Sequence, residues 1–87
     1  MDKNQIECAI GRVKRMEACF DELLRQVRET PQNIDKALLD ELCAYYDGGQ
    51  WLSDYELDEK GMLPRDLKRG VLSQDGVYDL LCKIQTL

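Results

Sequence analysis

Ile6, Ile10, Val13, Met16, Phe20, Leu23 and Val27 recur at steps of three and four through residues 3 to 29. At 100° per residue they fall within a stripe of about 140°, the pattern of a long amphipathic helix. Glu7, Lys14, Glu22, Arg25 and Glu29 occupy the other side, a solvated face. On it Asp21 with Arg25, and Arg25 with Glu29, stand at the i,i+4 spacing worth about 0.3–0.5 kcal/mol per pair. The near-heptad stepping also describes a coiled-coil seam, but the run is short and flanked by Ala9 and Leu24, which favours a bundle helix. Gly11 costs such a helix about 1 kcal/mol relative to alanine and is expected to mark the close approach of another backbone.

Thr30-Pro31 punctuates the pattern, because proline disfavours a helical residue before it and suits the first position of a new helix. Thr30 is the expected cap and Pro31 the expected start of a second helix. Its apolar positions are Ile34, Leu38, Leu42 and Tyr45, with Ala37 and Cys43 alongside, and Gly48-Gly49 ends it. The two helices are expected to form an antiparallel hairpin. Gln50 to Leu57 then reads as a short helix with Trp51 and Tyr55 on one side. Met62-Leu63-Pro64 reads as extended, bracketed by Gly61 and Gly70 as positive-φ positions, in an ordered loop of about 15 residues with a helical turn at Pro64 to Arg69. Ser73 caps a last helix from Gln74 to about Gln85, with Asp75 at its positive end and Val77, Leu80, Leu81 and Ile84 along one face.

No strand alternation of useful length occurs, and neither repeats nor a linker divide the chain. The expected fold is all-α, one helical domain over residues 1–87: an antiparallel hairpin, a short aromatic helix, an ordered Gly/Pro loop and a C-terminal helix in a small bundle. Residues 45 to 81 concentrate the special positions, holding Tyr45, Tyr46, Trp51, Tyr55 and Tyr78 and all the glycines except Gly11.

A chain of 87 residues buries only about 60–65% of the surface its unfolded form exposes, so a partner or a homodimer would add stability. The net charge of -5 disfavours non-specific phosphate binding, which needs many Lys and Arg. Residues 30 to 47 carry most of that excess, with four acids against one base. Neither nucleic acid nor membrane is an expected partner, since no apolar run approaches the length of a span. Met1 leads straight into polar residues, so a cytoplasmic location is expected. Cys8, Cys19, Cys43 and Cys82 form no C-x-x-C pair and have no histidine beside them, which makes them reduced, mostly packed thiols rather than a zinc set.

The acidic run Asp54, Glu56, Asp58, Glu59 with Gly61 invites comparison with a calcium loop. The sixth position, which needs glycine, is Glu59, and the twelfth, which should be glutamate, is Arg65. With no histidine, neither Ser73 nor Cys43 has its usual base, and both glycine-rich phosphate motifs are absent. No catalytic residue, metal or cofactor is assigned, and the chain is expected not to be an enzyme.

Tyr46, Trp51 and Tyr55, the acids Asp54, Asp58 and Glu59, and the bases Arg65, Lys68 and Arg69 together make a candidate partner-binding surface. Aromatics and arginine are enriched at binding hot spots. Two plainer readings stand beside this one: the opposite charges pair with each other, and Trp51 fills a small core.

The stretch YYDGGQWLSDYELDEKGMLPRDLKRGVLSQDGVYDLL resembles the signature of a small bacterial family known as domain of unknown function number 4298. The resemblance rests on Tyr45-Tyr46, on Trp51 with Asp54 and Tyr55, on Asp58 through Pro64, and above all on Leu67 through Leu81. Arg15-Met16-Glu17 with Asp21 is similar to the family's first-helix motif, while Gly48-Gly49 and Gln74 depart from its pattern. It covers about Ile6 to Leu81 and implies a small intracellular protein of bacterial or phage origin, without a catalytic residue to carry over. The expected function is therefore a non-enzymatic interaction or regulatory module with an unidentified protein partner, docking through residues 46 to 69. Alternatives are a carboxylate- or metal-assisted hydrolase using Asp54, Asp58 and Glu59, and an acidic inhibitor that mimics nucleic acid.

Overall fold

The computed structural model describes residues 3–87, apart from the side chain of Gln74. Met1, the start of the polar leader, and the Gln74 side chain lie outside the described residues. Among the described residues four α-helices and one 3-10 turn follow in order: α1 (Lys3–Glu29), α2 (Lys36–Asp47), α3 (Gln50–Glu59), the turn Gly70–Leu72 and α4 (Gln74–Gln85). No strand occurs among the described residues, and no helix there is long and apolar enough to cross a membrane. The all-α expectation holds.

At 1.5 Å per residue the 27-residue α1 is about 40 Å long and sets the 43 Å long axis of the molecule. Its apolar stripe is buried through Val13, Met16, Phe20 and Leu23. Gly11 is exposed, and a Cβ built there meets nothing within 4 Å, so the expected close backbone approach does not occur. On the solvated face Arg25 takes Glu22 at 2.5 Å and Glu29 at 3.0 Å. Asp21, expected beside Arg25, instead lies 3.9 Å from Lys68.

The second helix starts five residues later than Thr30-Pro31 suggests. Thr30 continues the first helix, its N–H donating to the Gln26 carbonyl at 2.8 Å, and Pro31 has no N–H with which to extend the ladder. A turn follows, and Asp35 becomes the cap, accepting from the N–H groups of Ala37 at 2.9 Å and Leu38 at 3.3 Å. The Asp35 N–H in turn donates to Gln26 Oε1 at 2.8 Å, so a buried glutamine of α1 fixes where α2 begins. Residue pairs 26 with 35, 19 with 38 and 15 with 41 show the helices running antiparallel.

Gly49, at φ 92°, makes the sharp exit into α3, and Gly61, at φ 72°, the exit from it. Gly70 has no positive φ and opens the 3-10 turn instead, directly after the stretch Pro64 to Arg69 where the sequence predicts a helical turn. Between them the connector is ordered by bonds from Met62 N–H to Leu57 O at 3.1 Å and from Leu67 N–H to Pro64 O at 3.2 Å, with Leu63 and Leu67 buried. Ser73 caps α4 as expected, accepting from Gly76 N–H at 3.2 Å. One contiguous core, centred on Val13, Leu23, Leu42, Val71, Val77 and Leu80, joins every helix but α3 directly, and Trp51 and Leu57 bring α3 in.

Candidate interaction surface

Trp51 stands at the first turn of α3 with Tyr46 edge-on, ring centroids 5.1 Å apart at 65°, and Tyr55 stacked at 5.1 Å and 20°. Its indole N–H donates to the Val71 carbonyl at 2.8 Å, tying α3 to the 3-10 turn. At 7% exposure the ring is core. Trp51 therefore leaves the candidate surface, while Tyr46 and Tyr55, both half-buried, stay on it.

Asp54 leaves it as well. One helical turn beyond the indole it is fully buried, and no ionised carboxylate is tolerated there without partners. Arg12 supplies two, Nε to Oδ2 at 2.9 Å and Nη2 to Oδ1 at 2.6 Å, and the Tyr45 hydroxyl donates to Oδ2 at 2.8 Å. The hydrogen bond to Asp54 raises the Arg12 pKa, and burial first, then the same carboxylate, pushes the Tyr45 phenol up. A second buried carboxylate, Glu17, accepts the Val71 N–H at 2.7 Å. A Cβ at Gly70 would come within 2.8 Å of Glu17 Oε1, so a side chain there would have to displace the carboxylate that holds the Val71 N–H; the glycine serves close approach rather than a positive φ.

The other charged candidates scatter. Asp58 pairs with Arg69 at 2.8 Å, and Glu59 is exposed beside the Tyr55 hydroxyl, whose pKa it raises. Asp54, Asp58 and Glu59 thus share no cleft, and no group of three or more His, Cys, Asp or Glu among the described residues is gathered to hold a metal. Arg69 is a staple: besides Asp58 it bonds the carbonyls of Leu67, at 3.3 Å, and Pro64. Lys68 reaches back towards Asp21, and Arg65 is exposed. The plainer reading of Trp51 holds, while the pairing of acidic run with basic cluster is met only by Asp58 with Arg69.

The feature missing from the sequence reading is a groove of about 350 Å³ between α2 and α4. Leu39, Cys43 and Tyr46 line it from α2, Tyr78, Leu81 and Ile84 from α4. Both helices have an apolar arc wider than their contact with α1 needs. In α2, Leu42 and Tyr45 go inward, while Leu39, Cys43 and Tyr46, at the same i, i+4, i+7 spacing, form a second stripe facing the groove. That second stripe is the signal the sequence offered. Tyr78, at 60% exposure, is the most open aromatic ring named here. A separate polar cleft of about 430 Å³ between the start of α1 and α3 has Arg12 in its wall, already engaged by Asp54.

Residues 13–87 match the family model described as Domain of unknown function (DUF4298). The chain belongs to that family. No curated protein and no solved structure gives a match. In this DUF4298 chain the matched region contains the aromatic cluster, both walls of the groove and Glu17 with its 3-10 turn, while Arg12 stands one residue before it.

The four thiols of the DUF4298 chain occupy three environments. Cys8 is exposed, contrary to a packed expectation. Cys19 is buried, its Sγ donating to Leu38 O at 3.2 Å, and burial pushes its pKa up to about 11. Cys43 and Cys82 are half-buried on the groove, where burial and then Asp47 and Asp40 raise the Cys43 thiol.

Proposed function

We propose that this DUF4298 chain is a non-enzymatic protein-interaction module whose docking face is the α2–α4 groove together with the Tyr46 and Tyr55 edge of the surface predicted at residues 46 to 69. The observation that carries the reading is that apolar and aromatic side chains line a groove that no other element among the described residues covers. Exposed apolar patches of this kind, bordered by polar groups, mark macromolecular contact sites. Five acids, Glu22, Glu29, Glu41, Asp54 and Asp58, are engaged by the chain's own arginines, which leaves fewer carboxylates to imitate phosphates. A cytoplasmic place in a bacterial or phage setting is part of the same proposal, in keeping with four unpaired cysteines.

Affinity capture from extract of the source cells tests it. A Tyr46→Ser/Tyr78→Ser double variant should lose the captured protein, whereas Arg65→Glu/Lys68→Glu should retain it. Equal capture by the parent and the tyrosine variant contradicts the reading.

A further inference from the structure

The groove's dimensions and charges say which kind of partner it fits. The α2 wall runs from Leu39 to Asp47 and the α4 wall from Tyr78 to Gln85, lengths of about 12 and 11 Å at 1.5 Å per residue. An α-helix presenting apolar side chains at i, i+3 or i+4, and i+7 covers about 11 Å, so two to three turns fill the groove. An added strand would need a sheet edge, and no strand exists among the described residues.

Charge then selects among helices. Among the described residues Asp47 is the one charged residue lining the groove, and no Lys or Arg does so. Asp40 precedes the lining residue Cys43 by three positions on α2 and Asp79 precedes the lining residue Cys82 by three on α4, so with Asp47 three carboxylates stand on turns that form the two walls. Unlike Glu41 beside them, which Arg15 holds at 2.5 Å, none of the three has an ion-pair partner among the described residues. An acidic rim around an apolar floor complements a cationic amphipathic helix, for which charge raises the encounter rate and excludes acidic competitors. A second copy of this chain is disfavoured on the same ground, since two chains of net charge -5 would set these rims against each other.

Resting on the interaction-module reading, we infer that the α2–α4 groove receives a basic amphipathic helix of two to three turns from a protein partner, with its apolar stripe on Tyr46, Tyr78, Leu81 and Ile84 and its cations opposite Asp40, Asp47 and Asp79.

Titration of the isotopically labelled full chain with two synthetic helical peptides tests this. Both share the same leucine stripe; one carries lysines on its flanks, the other glutamates. The lysine peptide should bind at least about tenfold more tightly, weaken as salt rises, and shift amides of α2 and α4. Asp47→Asn and Tyr78→Ser should each weaken it by about tenfold. Tyr78 is exposed, so that variant leaves folding intact, and far-ultraviolet circular dichroism verifies it. Equal binding of the two peptides, or shifts confined to other helices, overturns the basic-helix inference. Sedimentation run alongside separates this from the parent reading: a dimer that Tyr78→Ser dissociates overturns the inference but keeps the groove as a docking face. A monomer that binds neither peptide, and whose tyrosine variants capture the same proteins as the parent, overturns both.

Discussion

Two borders of the same core are finished differently. Along the connector, Leu63, Leu67 and Val71 press onto the core, Glu17 takes a backbone N–H, Trp51 takes a backbone carbonyl, and Arg69 clamps the outer turn. Along the α2–α4 groove, Tyr46, Leu81 and Ile84 stop half-buried, Tyr78 stands open, and Asp40, Asp47 and Asp79 have no ion-pair partner among the described residues. No buried side-chain polar atom lacks a partner among the described residues, so the polar groups of the interior are committed to holding the fold. The groove, by contrast, has apolar surface and charge left over. Substitutions on the connector side should therefore cost stability, and substitutions in the groove should cost binding.

The largest effect is expected at Asp54. Asp54→Ala leaves the buried Tyr45 hydroxyl and the half-buried Arg12 guanidinium without their shared partner, and the loss should be about 3 kcal/mol in urea unfolding. A loss below about 1 kcal/mol would mean that water reaches the pair freely.

Glu17 and Gly70 come next. Glu17→Ala orphans the Val71 N–H and should cost about 1–3 kcal/mol. Gly70→Ala drives a methyl against the Glu17 carboxylate and should cost about 1–3 kcal/mol in the parent but distinctly less when Glu17 is already alanine. Additive losses in this double-mutant cycle would contradict the contact.

The buried Cys19 gives an alkaline test. Its ordinary pKa of 9.0 is raised by burial to about 11, so below pH 9 folded and unfolded chains both keep the proton. Between pH 9 and about 11 the unfolded chain releases a proton that the folded chain retains, and stability must fall as pH rises. Cys19→Ala should flatten that fall. Tyr45, also raised, contributes from pH 10 upward in both proteins.

Smaller effects separate an open face from an occupied one. Gly11→Ala should stabilise the isolated chain by about 1 kcal/mol, because the methyl enters open space on a helix. Tyr78→Ser should change stability by no more than about 0.5 kcal/mol while capture is lost. A large loss of stability at Tyr78 would place the groove with the connector, as part of the structural core.

What the sequence reveals follows the range of each interaction. The α1 stripe, the Gly49 exit, the Ser73 cap and the Trp51–Tyr55 stack are local, set by residues within one or two turns, and periodicity or cap chemistry exposes them. The start of α2 is not local: Thr30 and Asp35 are both good caps, and the choice falls to Asp35 through Gln26, nine residues away. The interior of the candidate site is less local still. Asp54 meets Arg12 across 42 positions and Glu17 meets Val71 across 54, so an acidic run that reads as a surface hides its one buried member. Arg69 shows the same limit, since three cations close in sequence part once the connector folds: Arg69 clamps the turn, Lys68 lies towards Asp21 and Arg65 is exposed. The groove was half legible, as a second apolar stripe in α2, but its other wall belongs to α4 and only packing on α1 brings the two together.

The thiols offer the most direct test of the docking face, since Cys43 and Cys82 border the groove, Cys8 lies open on α1, and Cys19 is sealed in the core. Alkylation rates read by mass spectrometry, for the chain alone and for the chain in extract of the source cells, compare these positions within one molecule. Slower modification of Cys43 and Cys82 in the extract, with Cys8 unchanged, is the result expected of a covered α2–α4 groove. Unchanged rates at Cys43 and Cys82, with or without slowing at Cys8, would contradict it.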